Sequence, residues 1–398
     1  MIVSLEYYML KVELKNTACN ECGHEYEIPL YAYDPIASKL CPNCKCTNYV
    51  SRYERIDIGL SEVCNLACNM CRRPQERTFM PKQRVLRFFD EAKKIGVRTL
   101  SFSGGEPFVH PDFRELLAIA VELGFDIELV TNGTLLRASD IALIEKLKCI
   151  TISVDGPRQQ HDFIRGKEGT WDKTMASLSL LAKSKAKWGT NTVIQAHNAD
   201  VILATWQSII AVGRPSYIAL TNVEVVPETA HLQPDTQQIE LIKCQIDRIK
   251  MECAQKHVHF NDVELMGRGF KIFVNKTRRY RPIGGCSIPG SFLGISEYGI
   301  FPCWHQGRYI KTEGLIEGLE TEICRSIISE GINRQCVGCN AANYSWSESW
   351  VNGIIAAYDA GEWLEGVVYL SATEREAGHL SNGNRTLPIL ERKTRDVK

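Results

Sequence analysis

Beyond about residue 50 the apolar positions of this chain switch repeatedly between two periods. Short runs rich in β-branched and aromatic residues, at 55–60, 98–102, 126–131, 149–154, 190–196 and 217–226, read as buried strands. Between them lie stretches whose apolar residues recur every three or four places, at 85–95, 113–123, 140–147, 171–182 and 202–212, with 234–254 as a sixth. In the first of these, Phe88, Phe89, Ala92 and Ile95 fall on one helical face and read as core. Strand and helix in alternation imply parallel strands joined by right-handed crossovers, so the expected fold class is α/β.

The pattern differs at both ends. Two knuckles, Cys19-Asn20-Glu21-Cys22-Gly23-His24 and Cys41-Pro42-Asn43-Cys44, flank a strand-like segment at 26–33. Paired Cys-x-x-Cys at this spacing predicts a zinc ribbon, Cys19, Cys22, Cys41 and Cys44 closing one structural site. Rubredoxin-like iron would use the same ligands. Cys46 reads as a spare thiol and His24 as a knuckle-side residue. Past residue 340, Ser345 and Glu348 form a capping-box pattern. Trp346, Trp350, Ile354 and Tyr358 then recur every fourth residue as a packing stripe, and the polar tail from His379 onward reads as mobile.

Composition narrows the function classes. With 398 residues the chain exceeds one typical core, so two or more domains are expected. Lys plus Arg number 47 and Asp plus Glu 47, so no global field recruits nucleic acid or anionic lipid. The ribbon itself carries Lys11, Lys15, Lys39 and Lys45 against Glu6, Glu13, Glu21, Glu25, Glu27 and Asp34, the wrong balance for phosphate. No apolar run spans a bilayer, and Glu6, Lys11 and Glu13 interrupt any signal-peptide core. The 16 cysteines fall mostly in close pairs, which points to metal in a reducing cytoplasm rather than to disulfides.

The chemistry centres on Cys64-Asn65-Leu66-Ala67-Cys68-Asn69-Met70-Cys71, directly after the first strand of the repeat. Thiolates suit zinc and iron–sulfur clusters, and three without a fourth ligand nearby suit a cubane with one iron left open. Core cysteines do not cluster in this way. After the second strand comes Ser103-Gly104-Gly105-Glu106-Pro107, where two glycines permit close backbone approach to a ligand. Thr131-Asn132-Gly133 and Ser153-Val154-Asp155-Gly156 end the third and fourth strands, and His161 to Gly166 includes Arg165.

The cysteine spacing and the Gly-Gly-Glu-Pro segment resemble the radical S-adenosylmethionine (radical SAM) superfamily, over roughly residues 51 to 260. The resemblance implies a partial (β/α)6 TIM-type barrel with its site at the strands' C-terminal ends. It implies a [4Fe–4S] cluster on Cys64, Cys68 and Cys71, with S-adenosylmethionine (SAM) as cofactor. Gly104, Gly105 and Glu106 would take the methionine amino group, Ser153 and Asp155 the ribose and carboxylate end, and Arg165 the carboxylate. Asn132 would hydrogen-bond near the cofactor, a plain turn being the other reading. Met70 stands where the superfamily usually has an aromatic residue near adenine, and a thioether also packs against rings.

Farther on, Cys286, Cys303, Cys336 and Cys339 resemble the twitch domain, a shortened SPASM domain, on a hairpin and a helix. Tyr298 departs from the glycine usual there. Four thiols would coordinate an auxiliary [4Fe–4S] cluster fully, for electron relay or structure, and a second zinc site is the alternative. Cys149, Cys244, Cys253 and Cys324 read as packing residues. The expected division is a ribbon at 1–50, the barrel at 51–275, the auxiliary domain at 276–345 and a helix with a tail at 346–398. The implied activity is reductive SAM cleavage and hydrogen abstraction from a peptide or small-molecule substrate, a net oxidation in natural-product, peptide or cofactor maturation. A flavodoxin- or ferredoxin-type donor would supply electrons. The competing class is a binding or scaffold protein that metal merely stabilises.

Overall fold

The computed structural model describes residues 12–31, 35–71, 78–223, 227–261, 274–275, 293–301, 309–321, 324 and 367–368. Its first unit consists of two antiparallel hairpins. β1 (Val12–Ala18) pairs with β2 (Glu25–Tyr31), and β3 (Ile36–Leu40) with β4 (Thr47–Ser51). Each hairpin turns through one Cys-x-x-Cys segment. Lone hairpins are marginal in water, and here Cys19, Ile28, Leu30, Ile36 and Cys41 are buried.

The repeated unit follows. β5 (Arg55–Gly59) leads to α1 (Lys82–Lys94), β6 (Thr99–Ser103) to α2 (Phe113–Glu122), and β7 (Asp126–Thr131) to α3 (Ile141–Ile144). β8 (Cys149–Ser153) is followed by two helices, α4 (Arg158–Arg165) and α5 (Thr170–Ala182). β9 (Trp188–Ile194) leads to α6 (Ile202–Val212), and β10 (Tyr217–Asn222) to α7 (Thr236–Lys256). These six strands lie side by side in chain order and all neighbours are parallel, which makes an open partial barrel.

Both edges are extended. β11 (His259–Asn261) lies parallel beside β10. β12 (Val274–Asn275) stands outside this sheet. β13 (Leu293–Ser296) runs parallel beside β5, and β14 (Gly299–Phe301) folds back on it as a hairpin. β15 (Val367–Val368) pairs with β12. The hairpin expected near residue 300 therefore forms as an edge of the central sheet. Gly299, one place after Tyr298, takes the φ of +139° there. The short α8 (Leu315–Leu319) packs beyond it, with Ile316 N donating to Glu91 Oε2 of α1 at 3.0 Å.

Period two along the strands decides which side chain faces the helices and which the concave side. Phe102, Leu129, Ile150 and Ile152 join Phe88, Phe89, Phe113 and Leu178 in one buried cluster. A second holds Ile194, Ile218 and Leu220 with Trp206 and Ile242. The intervening residues, among them Ser101, Ser103, Thr151 and Ser153, turn to the concave face. Burying a phenylalanine in such a core stabilises by roughly 1.5–3 kcal/mol.

Two segments depart from the sequence pattern. The helix expected at 140–147 keeps a single α-turn, Ile141–Ile144, after which the chain tightens, Lys146 N and Leu147 N donating three residues back to Leu143 O and Ile144 O at 3.0 Å. The helix α4 forms where the apolar pattern marks no element. Pro157 precedes it, and Gly166, at φ +67°, ends it in the left-handed region. Among the described residues no helix is long and apolar enough to cross a membrane.

Candidate active site

At the C-terminal ends of the first four barrel strands lies a cavity of about 220 Å³. Cys64, Cys68, Met70 and Cys71 line it from the loop after β5, and Gly104, Gly105 and Glu106 from the segment after β6. Asn132 and Ser153 reach it from the ends of β7 and β8, and Arg165 from the last turn of α4. Glu62, Leu66 and Val130 also line it, and sequence reasoning passed over them. The alternation that puts Ser153 on the concave face would have found Val130.

Three sets of ties hold the cysteine loop. On one side Gly105 N donates to Ser61 O and Glu106 N to Val63 O, both at 2.9 Å. A Cβ on Gly105 would stand 2.0 Å from Val63 O, so this glycine is required by the chain's own packing. On the other side Ala67 N and Asn69 N donate to the carbonyls of Arg165 and Ile164, at 3.3 and 2.9 Å. Those last-turn carbonyls lack partners within their helix. From below, Asn65 Nδ2 donates to Thr134 Oγ1 at 2.8 Å, and Asn132 Nδ2 donates to Asn65 Oδ1 at 3.0 Å. Asn132 Oδ1 accepts from Thr134 N, so the Asn132 amide is engaged at both ends.

Charge is concentrated at the back of the cavity. Glu106 is 2% exposed, and its carboxylate accepts from Thr131 Oγ1, Asn132 N and Phe108 N at 2.6, 2.8 and 3.2 Å. A carboxylate has about four acceptor positions, so little capacity is left for a further donor. Burial raises its pKa, against those bonds and Arg165. Asp155, expected at the cofactor, sits one layer deeper. It is fully buried, its Oδ2 lies 2.6 Å from Arg165 Nη2, and its Oδ1 accepts from Val193 N at 2.8 Å. Its carbonyl accepts from Asn198 Nδ2, which holds the residue between β8 and β9. Arg165 Nη1 in turn approaches Cys68 Sγ at 3.8 Å.

Burial pushes the Cys64 and Cys68 thiols up, and a metal that binds them displaces their protons. Three thiols on one loop, beside a buried guanidinium and an open cavity, fit a cluster with a free coordination position. Cys286, Cys303, Cys336 and Cys339 lie outside the described residues.

A separate group occupies the first unit. The sulfur atoms of Cys19, Cys22, Cys41 and Cys44 all lie within 4.8 Å of one another, a set that fits a tetrahedral ion. The knuckles correspond residue for residue. Gly23 N donates to Cys19 O at 2.9 Å and Lys45 N to Cys41 O at 3.0 Å, with φ of +69° and +67° at the two donors. Cys19 N donates to His24 O and Cys41 N to Cys46 O. His24 stacks on Tyr26, 6.1 Å between centroids, as a knuckle-side residue would. Cys46, read from sequence as spare, instead lies 3.2 Å from both Cys19 Sγ and Cys44 Sγ.

Comparison with known proteins agrees with this architecture. The chain is 28% identical over 264 residues to the AdoMet-dependent heme synthase of Methanosarcina barkeri, covering 61% of this chain and 74% of that one. It is 32% identical over 161 residues to the PqqA peptide cyclase of Ruegeria pomeroyi, covering 39% of this chain and 43% of the cyclase. The crystal structure of Streptococcus suis SuiB bound to S-adenosylmethionine shares the fold, with a TM-score of 0.54 and 17% identity over 77% of this chain and 68% of that one. Residues 58–205 match the radical SAM superfamily. Because that span opens in β5 just ahead of Cys64 and closes in α6, it contains every residue of the cavity, and the chain carries a domain of the radical SAM superfamily.

Proposed function

We propose that this chain is a radical SAM enzyme whose Cys64, Cys68 and Cys71 hold a [4Fe–4S] cluster with one iron open to SAM. The observation that carries the reading is the convergence of those three thiols with Gly104, Gly105, Glu106, Ser153 and Arg165 on one cavity. When bound, the cluster and SAM supply reductive cleavage to methionine and a 5′-deoxyadenosyl radical that takes hydrogen from a substrate C–H bond.

The chain's own residues bind, orient and exclude. Arg165, backed by Asp155, offers a fixed cation for a carboxylate. Glu106 keeps a negative charge behind Gly104 and Gly105, favouring an ammonium there even though protein donors fill most of its acceptor positions. Ser153 offers a hydroxyl at the end of β8, and Met70 a polarizable contact for a flat ring. All of them act by placement, so their loss lowers affinity and alignment rather than electron supply.

Cys286, Cys303, Cys336 and Cys339 would hold an auxiliary [4Fe–4S] cluster, and Cys19, Cys22, Cys41 and Cys44 a structural zinc. Relatives include a heme synthase and a peptide cyclase, so the proposed substrate is a peptide or a cofactor precursor and the net reaction an oxidation. A flavodoxin- or ferredoxin-type donor in the cytoplasm would supply the electron. The test is anaerobic reconstitution with iron and sulfide, followed by SAM and dithionite. 5′-Deoxyadenosine is expected to accumulate. None, at full iron content, would make the chain a metal-stabilised binding protein.

A further inference from the structure

The N-terminal group contains five thiols where a tetrahedral ion needs four. At a Zn–S distance of ~2.3 Å the sulfurs of such a site stand ~3.8 Å apart. Cys22 and Cys41 are 3.7 Å apart and Cys19 and Cys44 3.4 Å, so these two pairs already approach opposite edges of the tetrahedron. The Cys46 sulfur stands over one of those edges only, 3.2 Å from Cys19 Sγ and 3.2 Å from Cys44 Sγ. No contact among the described residues joins it to Cys22 or Cys41.

Its surroundings are those of a ligand. Asn48, 1% exposed, donates through Nδ2 to Cys46 Sγ at 3.1 Å and to Cys19 Sγ at 3.5 Å, its Oδ1 being fixed by Asn20 N at 3.0 Å. One buried amide is therefore placed to support a thiolate on either sulfur. The two knuckles share one backbone form, with His24 where Cys46 stands, so the extra thiol is a feature of the side chain and not of the turn.

We infer that Cys46 is a reserve ligand of the N-terminal metal site, exchanging with Cys44 or Cys19 on that edge while Cys22 and Cys41 stay bound. The ion is a thiophilic divalent cation of the zinc class. Exchange needs no oxidant. The incoming Cys46 thiol gives up its proton as its sulfur binds, and the departing thiolate takes one up, so charge and coordination number are unchanged. The inference rests on the reading that this unit binds metal at all.

The test uses the full chain carrying zinc, with zinc affinity read by chelator competition and the number of bound thiolates by the charge-transfer absorption of a cobalt(II)-substituted sample. Cys22→Ala and Cys41→Ala should bind zinc about 100-fold or more weaker and show three thiolates, while Cys44→Ala and Cys19→Ala stay within about 10-fold and show four. The double variant Cys44→Ala/Cys46→Ala should fall to three. Equal loss at all four positions would overturn the exchange, whereas a wild-type chain that takes up neither zinc nor cobalt would overturn the metal reading beneath it. A second measurement starts from the wild type and keeps all four knuckle cysteines in place. Alkylation of the zinc-loaded wild type should label Cys44 or Cys19 as well as Cys46, and Cys46→Ala should abolish the first two. Label on Cys46 alone would mean four fixed ligands.

Discussion

Asp155 Oδ2 stands 2.6 Å from Arg165 Nη2, both side chains almost wholly out of solvent, and this pair forms the wall behind the cysteine loop. Two charges pulled from water are costly, and removing one leaves the other uncompensated. Asp155→Asn should therefore destabilise the fold by about 3 kcal/mol and free Arg165 to turn toward Cys68. SAM affinity is expected to fall about 10-fold, since an arginine that swings no longer presents a fixed cation. Calorimetric titration of the reconstituted variant checks this, and unchanged affinity in a folded variant would count against Asp155 as the positioning residue.

Gly105 tests whether the glycine pair serves the protein or the ligand. Its missing Cβ leaves room for Val63 O, which would be 2.0 Å away. Gly105→Ala must push the 61–63 segment and hence Cys64, so iron content should drop below half of wild type. If the variant keeps its full cluster and loses only SAM binding, the glycine is there for the cofactor instead.

The legible parts of this molecule are those where residue type alone is rare or periodic. Strand 126–131 and helix 202–212 are readable to the residue because their periods hold from end to end, Ile127 and Leu129 alternating with polar neighbours and Ile202, Trp206 and Ile209 recurring every three or four places. The helix α4 is not, because its apolar residues, Phe163 and Ile164, are adjacent and the former is 60% exposed, which leaves no period. Its importance lies in backbone carbonyls that hold the cysteine loop, and carbonyls leave no trace in a sequence. Likewise the resemblance put both Ser153 and Asp155 at the cofactor, and their shared strand parity does not separate them. Only the bond from Val193 N to Asp155 Oδ1 shows which of them turns away. Cys46 was passed over for a similar reason, since spacing pairs the knuckles but cannot say where a fifth thiol points.

His161 carries a pH dependence of known sign. Fully buried against Trp171, its ring accepts from Asp155 N through Nδ1, and burial together with the Arg165 charge lowers its pKa from 6.5 to about 3. A folded-state pKa below the unfolded one means that its contribution is full above pH 6.5 and is lost as pH falls toward 3. Relative to pH 7.5, the chain should lose about 1.4 kcal/mol by pH 5.5 from this group alone. His161→Asn, which keeps an acceptor, should remove that component. Urea midpoints for the two proteins falling in parallel over this range would show that His161 is not the cause.

The two cysteine groups proposed to hold metal lie on elements that share no strand, which predicts independent metal loss. The Cys64→Ala/Cys68→Ala/Cys71→Ala variant removes a loop's ligands but none of its backbone ties, since Ala67 N, Asn69 N, Gly105 N and Glu106 N all bond to main-chain carbonyls. The barrel should therefore stay folded. Iron is expected to fall by about four per chain, zinc to remain, and 5′-deoxyadenosine formation to disappear. Cys22→Ala/Cys41→Ala should do the reverse, releasing zinc while SAM cleavage continues at the reconstituted cluster. Elemental analysis of both variants with a turnover assay decides it. If zinc loss also stops SAM cleavage in a chain with full iron, the ribbon is coupled to the cavity and its role is more than structural.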